Sequence, residues 1–567
     1  MNTLKPTIAL TLLLTLLGCS GQTTTTKQQS QAQEKEQEQD LVKQPPIPEQ
    51  RPTEVSQTFA ISPQRIMAQP AMRMVMPSIQ PHYIPEKSSE NYQHIVTNPL
   101  RVVSEHPVST FSIDVDTGSY SNIRRMINQG NLPPKDAVRI EEMINYFDYQ
   151  YPIPSSTNQP FAINIEMMTA PWNHDRKLLK IGLKGYEIAS DKLGNANLVF
   201  LLDVSGSMNQ PNKLPLLKKS LQLLTAQLDN HDRVSIVVYA GAAGVVLKPT
   251  PGNDHISINN ALDQLRAGGS THGSQGITLA YQLARQSFIK GGINRVILAT
   301  DGDFNVGTTN IDTLKQLIEK NSKSGIGLTT LGFGQGNYND YLMEQLADIG
   351  NGNYAYIDNI NEARKVLVDQ LSSTLQIIAK DVKIQLEFNP DQVAQYRLIG
   401  YENRQLKRED FNNDKIDAGD IGAGHTVTAI YELTMTNATN KLIDPLRYQQ
   451  PKYSANKGSE IAMIKLRYKQ PNSDTSQLIT KIINRDLLTT KPSDDFQFTN
   501  AVMAFGELLR GGKYLENYDY LDIIELANQH KGQDDFGYRG EFIQLVRTVV
   551  SLRKIEPTTQ GSTSSTN

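Results

Sequence analysis

The chain has 567 residues, which is too long for one ordinary hydrophobic core and predicts three or four folded units. Hydrophobic residues make up 38% and charged residues 20%, a composition typical of a soluble globular protein with some disordered sequence. The formal net charge of −3 excludes a strong overall attraction to polyanions, so no nucleic-acid partner is predicted.

The N-terminal leader contains the one cysteine of the chain, Cys19. A single cysteine excludes an intramolecular disulfide and a cysteine-based zinc site. Lys5 precedes an apolar run from Ile8 to Leu17, which is too short to span a bilayer as a helix. A positive start, a short apolar segment and small residues after it are typical of a secretory signal.

Residues 16–19 read Leu-Leu-Gly-Cys and resemble the bacterial lipobox, in which the cysteine is acylated and becomes the new N-terminus. The resemblance implies a lipid anchor at Cys19, with acyl chains that hold the protein to a membrane. Ser20 resembles the outer-membrane sorting pattern, so we expect a cell-envelope lipoprotein with its body in the periplasm or at the cell surface. The alternative is a plain signal peptide with an incidental cysteine.

Composition and periodicity divide the rest of the chain into segments. Residues 19–58 are polar and predict a disordered tether, because they cannot bury enough apolar surface to fold. The segments are a signal peptide (1–18), the tether (19–58), a docking segment or linker (59–94), a mixed α+β region (95–190), an alternating strand–helix domain (195–375), a β-rich region (380–470), a helical region (495–553) and a disordered tail (557–567).

The segment 195–375 predicts a doubly wound, mostly parallel α/β sheet. Residues 198–202 form a continuous apolar run, as expected of a strand buried on both faces. Helical and strand patterns then alternate, from a helix at 213–228 to a last helix at 360–375. Because β patterns bracket this domain, we expect the flanking strands to pair into one β-sandwich with the α/β domain inserted in it.

Three polar segments are predicted to meet at the carboxyl edge of that sheet, where ligands of such sheets bind. Their carboxylate and hydroxyl oxygens suit Mg²⁺ or Mn²⁺. The segments are Asp203-Val204-Ser205-Gly206-Ser207, Gly268-Gly269-Ser270-Thr271 and Thr300-Asp301-Gly302-Asp303. A turn that merely caps the next helix is the alternative reading of the first segment. His272 and Asp303 are interpreted as exposed loop residues rather than ligands.

Asp203, Ser205 and Ser207 match the Asp-x-Ser-x-Ser signature of the metal-ion-dependent adhesion site, and this part of the chain resembles von Willebrand factor A (VWA) domains. Thr271 and Asp301 match the two later positions of that site. The resemblance implies that Ser205, Ser207 and Thr271 bind the metal directly. Asp203 and Asp301 would supply charge and orient waters, and one metal position would remain open for an acidic residue of a partner.

The flanks are similar to those of a bacterial group of VWA-domain proteins, in an N-terminal von Willebrand factor-type region and a C-terminal domain of unknown function. The resemblance extends from about residue 95 to 553. Its motifs are Ser109–Tyr120, Arg139–Asp148, Trp172-Asn173, Tyr396–Asn403, Gly419–Thr428 and Gly537–Val546.

Two other motifs suggest enzymes but are incomplete. Residues 116–119 read Asp-Thr-Gly-Ser, as in aspartic proteases, but the chain has no second copy to complete the carboxylate pair. Asp114-Val115-Asp116 after a strand is similar to Mg²⁺-dependent phosphatases of the haloacid dehalogenase type, but Gly118 departs from that pattern. Strand-end aspartates that make turn hydrogen bonds are the simpler interpretation.

We therefore expect a non-enzymatic module of the cell envelope that binds a partner's carboxylate through Mg²⁺ or Mn²⁺. The alternative is a scaffold that recruits an envelope enzyme or chaperone, and a Mg²⁺-dependent phosphatase is a distant third. The expected partner is a protein, and no small-molecule substrate is predicted.

Overall fold

The structure, a computed structural model, describes residues 89–156, 158–189, 192–270, 273–302, 311–444, 446 and 458–555. The predicted signal peptide, tether and tail, and most of the segment 59–94, lie outside the described residues, so those predictions stay untested. In the part of the chain that is described, no helix combines the length and the apolar character needed to cross a membrane.

The described residues before 190 form four strands and two α-helices. The strand Val108–Ser112 ends shortly before a turn, in which the Asp114 carboxylate accepts a hydrogen bond from the Asp116 backbone N–H at 2.9 Å. The elements are β1 (Arg101–Val102), β2 (Val108–Ser112), α1 (Gly118–Asn128), α2 (Ile140–Asn145), β3 (Phe161–Ala170) and β4 (Asn173–Gly185).

The next part of the chain alternates strands and helices. Its elements are β5 (Ala196–Asp203), α3 (Leu214–Thr225), β6 (Arg233–Tyr239), β7 (Ala243–Pro251), α4 (His255–Gln264), α5 (Gly273–Gln286), β8 (Ile293–Thr300), α6 (Ile311–Ser322), β9 (Gly327–Phe333), α7 (Asp340–Ile349), β10 (Tyr354–Ile357), α8 (Ile360–Arg364) and α9 (Leu371–Leu375).

These six strands form one mostly parallel sheet in the order β10-β9-β8-β5-β6-β7, with β7 antiparallel at one edge. All eight residues of the central strand β5 are buried. Leu198 and Phe200 pack into the core on one face of the sheet, and Val199 and Leu201 into the core on the other. This arrangement confirms the predicted doubly wound α/β fold, because only a sheet covered on both faces buries every residue of a strand.

The last helix of this domain is not the single helix predicted for residues 360–375. It consists of α8, a π-helical turn at Lys365–Asp369 and α9. Lys365 is buried in the widened turn, with its ammonium 4.0 Å from the centroid of the Tyr146 ring. The break therefore accompanies a contact with the preceding region, which helical periodicity does not reveal.

The chain after residue 376 returns to strands and then to helices. The sequence does not predict β16, because most of its side chains are exposed and polar residues interrupt the strand pattern. The elements are β11 (Ile377–Phe388), β12 (Val393–Ile399), β13 (Ile421–Gly422), β14 (Thr426–Met435), β15 (Glu460–Lys469), β16 (Ser476–Asn484), α10 (Asp494–Leu509), α11 (Tyr520–Gln529) and α12 (Tyr538–Ile555).

Strands from the two flanks pair with each other in two antiparallel sheets. One sheet has the order β1-β12-β14-β4-β3, and the other has β13-β11-β15-β16, with β2 also paired to β11. Residues of both sheets, such as Ile181 and Leu386, share one hydrophobic core. The predicted sandwich with the α/β domain inserted between its strands is thus confirmed.

Helix α1 covers the edge of the α/β sheet at β10. The Tyr354 backbone N–H donates to the Asp116 carboxylate at 2.8 Å, and the Ser121 hydroxyl donates to the Tyr356 carbonyl at 2.7 Å. These contacts satisfy backbone groups at a strand edge that would otherwise be free to pair with another chain. The α/β domain is therefore attached to the flanking region along one edge.

Candidate functional site

The motif Asp203–Ser207 forms a tight turn directly after the central strand β5. Asp203 is fully buried, and its Oδ1 accepts the Ser205 backbone N–H at 2.8 Å. Ser205 is buried and Ser207 is exposed. Their hydroxyl oxygens lie 3.0 Å apart. The turn therefore directs two hydroxyls and a buried carboxylate to the carboxyl edge of the sheet.

The glycine segment before α5 lies against this turn. The Gly206 N–H donates to the Gly269 carbonyl at 3.0 Å, and the Gly268 N–H donates to the Val204 carbonyl at 2.8 Å. Gly269 has a φ of +85° and lies so close to the backbone at Gly241 that a side chain there would be crowded. The structure thus brings the second predicted segment to the first, as far as residue 270. Thr271 and His272 lie outside the described residues.

The third segment reaches the same place from strand β8. The Thr300 hydroxyl donates to Asp203 Oδ2 at 3.0 Å, which joins the ends of the two strands. Asp301 is fully buried, and its Oδ2 accepts a hydrogen bond from the Lys213 ammonium at 2.8 Å. The structure therefore brings Asp203, Ser205, Ser207 and Asp301 together. Asp303 lies outside the described residues.

Burial makes the Asp203 carboxylate unfavourable as an isolated anion. Burial, together with the nearby charge of Asp301, raises the pKa of Asp203 to about 6. Hydrogen bonds from Ser205 and Thr300 oppose the shift. A carboxylate in this position is stabilised by a cation, which replaces the water that the fold excludes.

The donor set fits a small divalent cation. It consists of carboxylate and hydroxyl oxygens, without nitrogen or sulfur, and such sets suit Mg²⁺ or Mn²⁺. Ser205 and Ser207 would hold such a cation, with Asp203 and Asp301 supplying negative charge. A bound cation would act as a Lewis acid that accepts a carboxylate oxygen from outside the chain.

Three further residues contact the site, and of these only Thr300 lies in a segment that the sequence predicts to reach it. Thr300 and Tyr239 contact the Asp203 carboxylate, with the Tyr239 hydroxyl 3.4 Å from Oδ2. Lys213, the residue before helix α3, forms an ion pair with Asp301. Tyr239 ends β6 and Thr300 ends β8, the two strands that flank β5, so the strand-end position indicates both residues. Nothing in the local sequence distinguishes Lys213 from Lys219, which is exposed on the helix α3 that follows.

A second group of carboxylates lies between the flanks and the α/β domain. Asp114, Glu142 and Glu344 are buried with oxygens within 4.8 Å of one another. Arg404 donates to Asp114 at 3.0 Å and to Glu344 at 3.1 Å, and Arg139 pairs with Glu142. These guanidinium groups supply positive charge to the cluster, which joins the flanks to the domain.

The two incomplete enzyme motifs fall in this cluster. The Asp114 carboxylate accepts the Asp116 backbone N–H at 2.9 Å, as in the simpler turn interpretation, and Asp116 also accepts the Tyr354 N–H. Both carboxylates are buried against Arg404. These contacts give Asp114 and Asp116 a structural role, in which they help to hold the flanking region against the α/β domain.

A cavity of about 550 Å³ lies where the flanks meet the last helix of the α/β domain. Its walls include Lys184, Lys365, His425 and Arg539, together with several carboxylates. Burial lowers the pKa of Lys365 to about 8 and that of His425 to about 3. None of the described residues of the predicted metal site lines this cavity, so the two features are separate.

Comparisons with known protein families match three successive regions of the chain. The von Willebrand factor family matches residues 86–180, the von Willebrand factor type A domain matches residues 197–370, and the family described as "Uncharacterized protein YfbK, C-terminal" matches residues 373–552.

Individual relatives match over different lengths. "Uncharacterized protein YfbK" of Escherichia coli (strain K12) is 47% identical over 472 residues, which cover 82% of this chain and 82% of that protein. Inter alpha-trypsin inhibitor, heavy chain 4, of Mus musculus is 27% identical over 32% of this chain and 19% of its own length. Among solved structures, a von Willebrand factor type A protein from Catenulispora acidiphila is 16% identical, covers 71% of this chain and 91% of its own, and gives a TM-score of 0.38.

Proposed function

This chain belongs to the family of VWA-domain proteins that includes YfbK, and from that premise we propose that it binds a partner protein through a divalent cation. The cation would be Mg²⁺ or Mn²⁺, held at the turn after β5. It would bind a carboxylate of the partner, and the chain would act by binding rather than by catalysis. The observation that carries the proposal is the convergence of Asp203, Ser205, Ser207 and Asp301 at one edge of the sheet.

The position of this edge supports binding to a macromolecule. Ser207 and the adjacent Gly206 are exposed, while Asp203 and Asp301 are buried beneath them. A cation at the two serine hydroxyls would be held on its protein side by the buried carboxylates. Its opposite side would be open to solvent and to a partner. An acidic side chain on another protein is the simplest group that fits such a site, because it completes an oxygen-only coordination shell.

The test is capture of partners from an envelope extract by the full-length chain, in Mg²⁺ and in a chelator. We expect proteins that are retained in Mg²⁺ and released by the chelator, and the same proteins to be absent with Asp203→Asn. Surface or periplasmic proteins would support adhesion, and one enzyme or chaperone would support recruitment. Equal capture in both conditions by both chains would contradict the proposal.

We also propose that Cys19 carries the lipid that holds the chain at the cell envelope, in the outer membrane. The support is the lipobox-like segment 16–19 and the absence of any other cysteine in the chain. Labelling cells with a palmitate analogue should mark the wild-type chain and leave Cys19→Ser unlabelled. Equal labelling of both chains would contradict this assignment, and it would leave the metal site unaffected.

A further inference from the structure

A buried lysine neutralises one carboxylate of the candidate metal site. Lys213 Nζ lies 2.8 Å from Asp301 Oδ2, and the two side chains are 3% and 0% exposed. Lys213 is the residue before helix α3, so its ammonium reaches the site from outside the three segments that form it. The pair is therefore held by the fold and is not a surface ion pair that solvent would screen.

The fold leaves room for this lysine at a specific place. Gly334, directly after strand β9, has a φ of +78°, and a Cβ built on it would lie 2.6 Å from Lys213 Cγ and 2.8 Å from Lys213 Cδ. Only glycine provides that space without displacing the lysine stem. The stem and its charge thus occupy a slot beside Asp301.

We propose that Lys213 is an internal counter-ion that competes with the divalent cation for Asp301. The inference rests on the proposed function, because it concerns the same site. Without metal, the ammonium stabilises a carboxylate that is otherwise buried from water. With metal, the ammonium and the cation lie near the same carboxylate and repel each other, so Lys213 lowers the affinity of the site for the cation.

The charge balance gives the size of the effect. Asp203, Asp301 and Lys213 together carry one net negative charge, whereas the two carboxylates alone would carry two. A divalent cation is therefore attracted less strongly than the carboxylates by themselves would attract it. In a buried site, where solvent screens poorly, removal of one unit charge is expected to change metal affinity by at least about tenfold.

The test is calorimetric titration of Mg²⁺ and of Mn²⁺ into the full-length chain and into Lys213→Met. We expect the variant to bind each metal at least about tenfold more tightly than the wild type. Lys213→Arg keeps the charge and should stay close to the wild type. Lys219→Met removes the same charge from an exposed position within helix α3, and should also leave the affinity unchanged.

A thermal measurement covers the case in which Lys213→Met is poorly folded without metal. Loss of the ammonium leaves Asp301 without this counter-ion, so the variant should have a lower Tm than the wild type in a chelator. Saturating Mg²⁺ should then raise its Tm by more than it raises that of the wild type. A merely structural lysine would lower both values without enlarging the metal-induced shift.

The outcomes separate the inference from the proposed function. If the wild type binds metal and Lys213→Met binds it with equal or lower affinity, the counter-ion role is wrong while the metal site stands. An equal metal-induced Tm shift in the two chains would lead to the same conclusion. If neither the wild type nor any variant binds either metal, the proposed function fails, and the counter-ion role fails with it.

Discussion

Arg124 NH2 donates to Glu362 Oε2 at 2.7 Å, and the two side chains are 2% and 0% exposed. Arg124 belongs to α1, before the α/β domain, and Glu362 belongs to α8 at the end of that domain. The same guanidinium pairs with Asp358 and with Glu541 of α12. Arg124 therefore joins both flanks to the inserted domain, at helix α8 near the end of that domain.

Replacement of Arg124 by Met should destabilise the protein strongly. The substitution leaves the Glu362 and Asp358 carboxylates buried without their main counter-ion, which is expected to cost about 3–5 kcal/mol of the free energy of unfolding. Lys323→Met removes an exposed partner of Glu319 and should cost less than about 1 kcal/mol. Urea unfolding of both variants measures the difference, and equal losses would show that the Arg124 cluster is not a stabilising joint.

The stability of the protein should fall as the pH rises through the range where buried Glu141 ionises. Burial, together with the charges of Glu402 and Asp114, raises the pKa of Glu141 to about 8. The folded state therefore keeps a proton that the unfolded chain has already lost. This contribution to stability is complete below about pH 4 and is lost as the pH rises through about 8.

Glu141→Gln should remove that dependence. Relative to the wild type, the variant should gain free energy of unfolding between about pH 5 and about pH 8, by an amount on the order of 3 kcal/mol. Urea unfolding at several pH values provides the comparison, with the exposed Glu105→Gln as control. A difference between Glu141→Gln and the wild type that does not change with pH would contradict the assignment of a raised pKa.

Two glycines with positive φ should respond differently to alanine. Gly302 follows Asp301 with a φ of +91°, and a Cβ there would lie 2.7 Å from Tyr338 Cα and would overlap the Asn339 backbone nitrogen. Gly336 has a φ of +95°, but a Cβ there would meet open space. Gly336→Ala should cost about 1 kcal/mol from backbone strain, and Gly302→Ala at least about 2 kcal/mol more.

Thermal or urea unfolding distinguishes these two substitutions, and metal titration extends the comparison. Because Gly302 adjoins Asp301, its substitution should also weaken Mg²⁺ binding, whereas Gly336→Ala should leave it unchanged. Similar losses of stability in the two variants would mean that Gly302 is not packed closely against the backbone of Tyr338 and Asn339.

The parts of the fold that could be predicted are those with strong local patterns. The apolar run in β5 predicts a strand buried on both faces, and the alternation of strand and helix patterns around it predicts the doubly wound sheet. The motif after β5 predicts the place of Asp203, Ser205 and Ser207, because the carboxyl ends of parallel strands meet at one edge.

The features that were missed depend on contacts between distant residues. The π-helical turn at Lys365–Asp369 accompanies a contact between Lys365 and Tyr146, which lie in different regions. Arg124 and Lys213 are charged residues in or next to helices, and in the sequence they look like exposed surface residues. Only the folded chain shows that they are buried and which carboxylates they pair with. Strand β16 was missed because an exposed edge strand lacks the alternating pattern of a half-buried one.

The central claim, a divalent-cation site at the turn after β5, is tested most directly by calorimetric titration of Mg²⁺ and Mn²⁺ into the full-length chain and into Asp203→Asn. Asparagine keeps the shape of Asp203 and removes its charge, and Asp229→Asn removes an exposed carboxylate as the control. We predict that the wild type and Asp229→Asn bind the cation and that Asp203→Asn does not. Equal binding by all three chains, or no binding by the wild type with or without an acidic peptide, would contradict the claim.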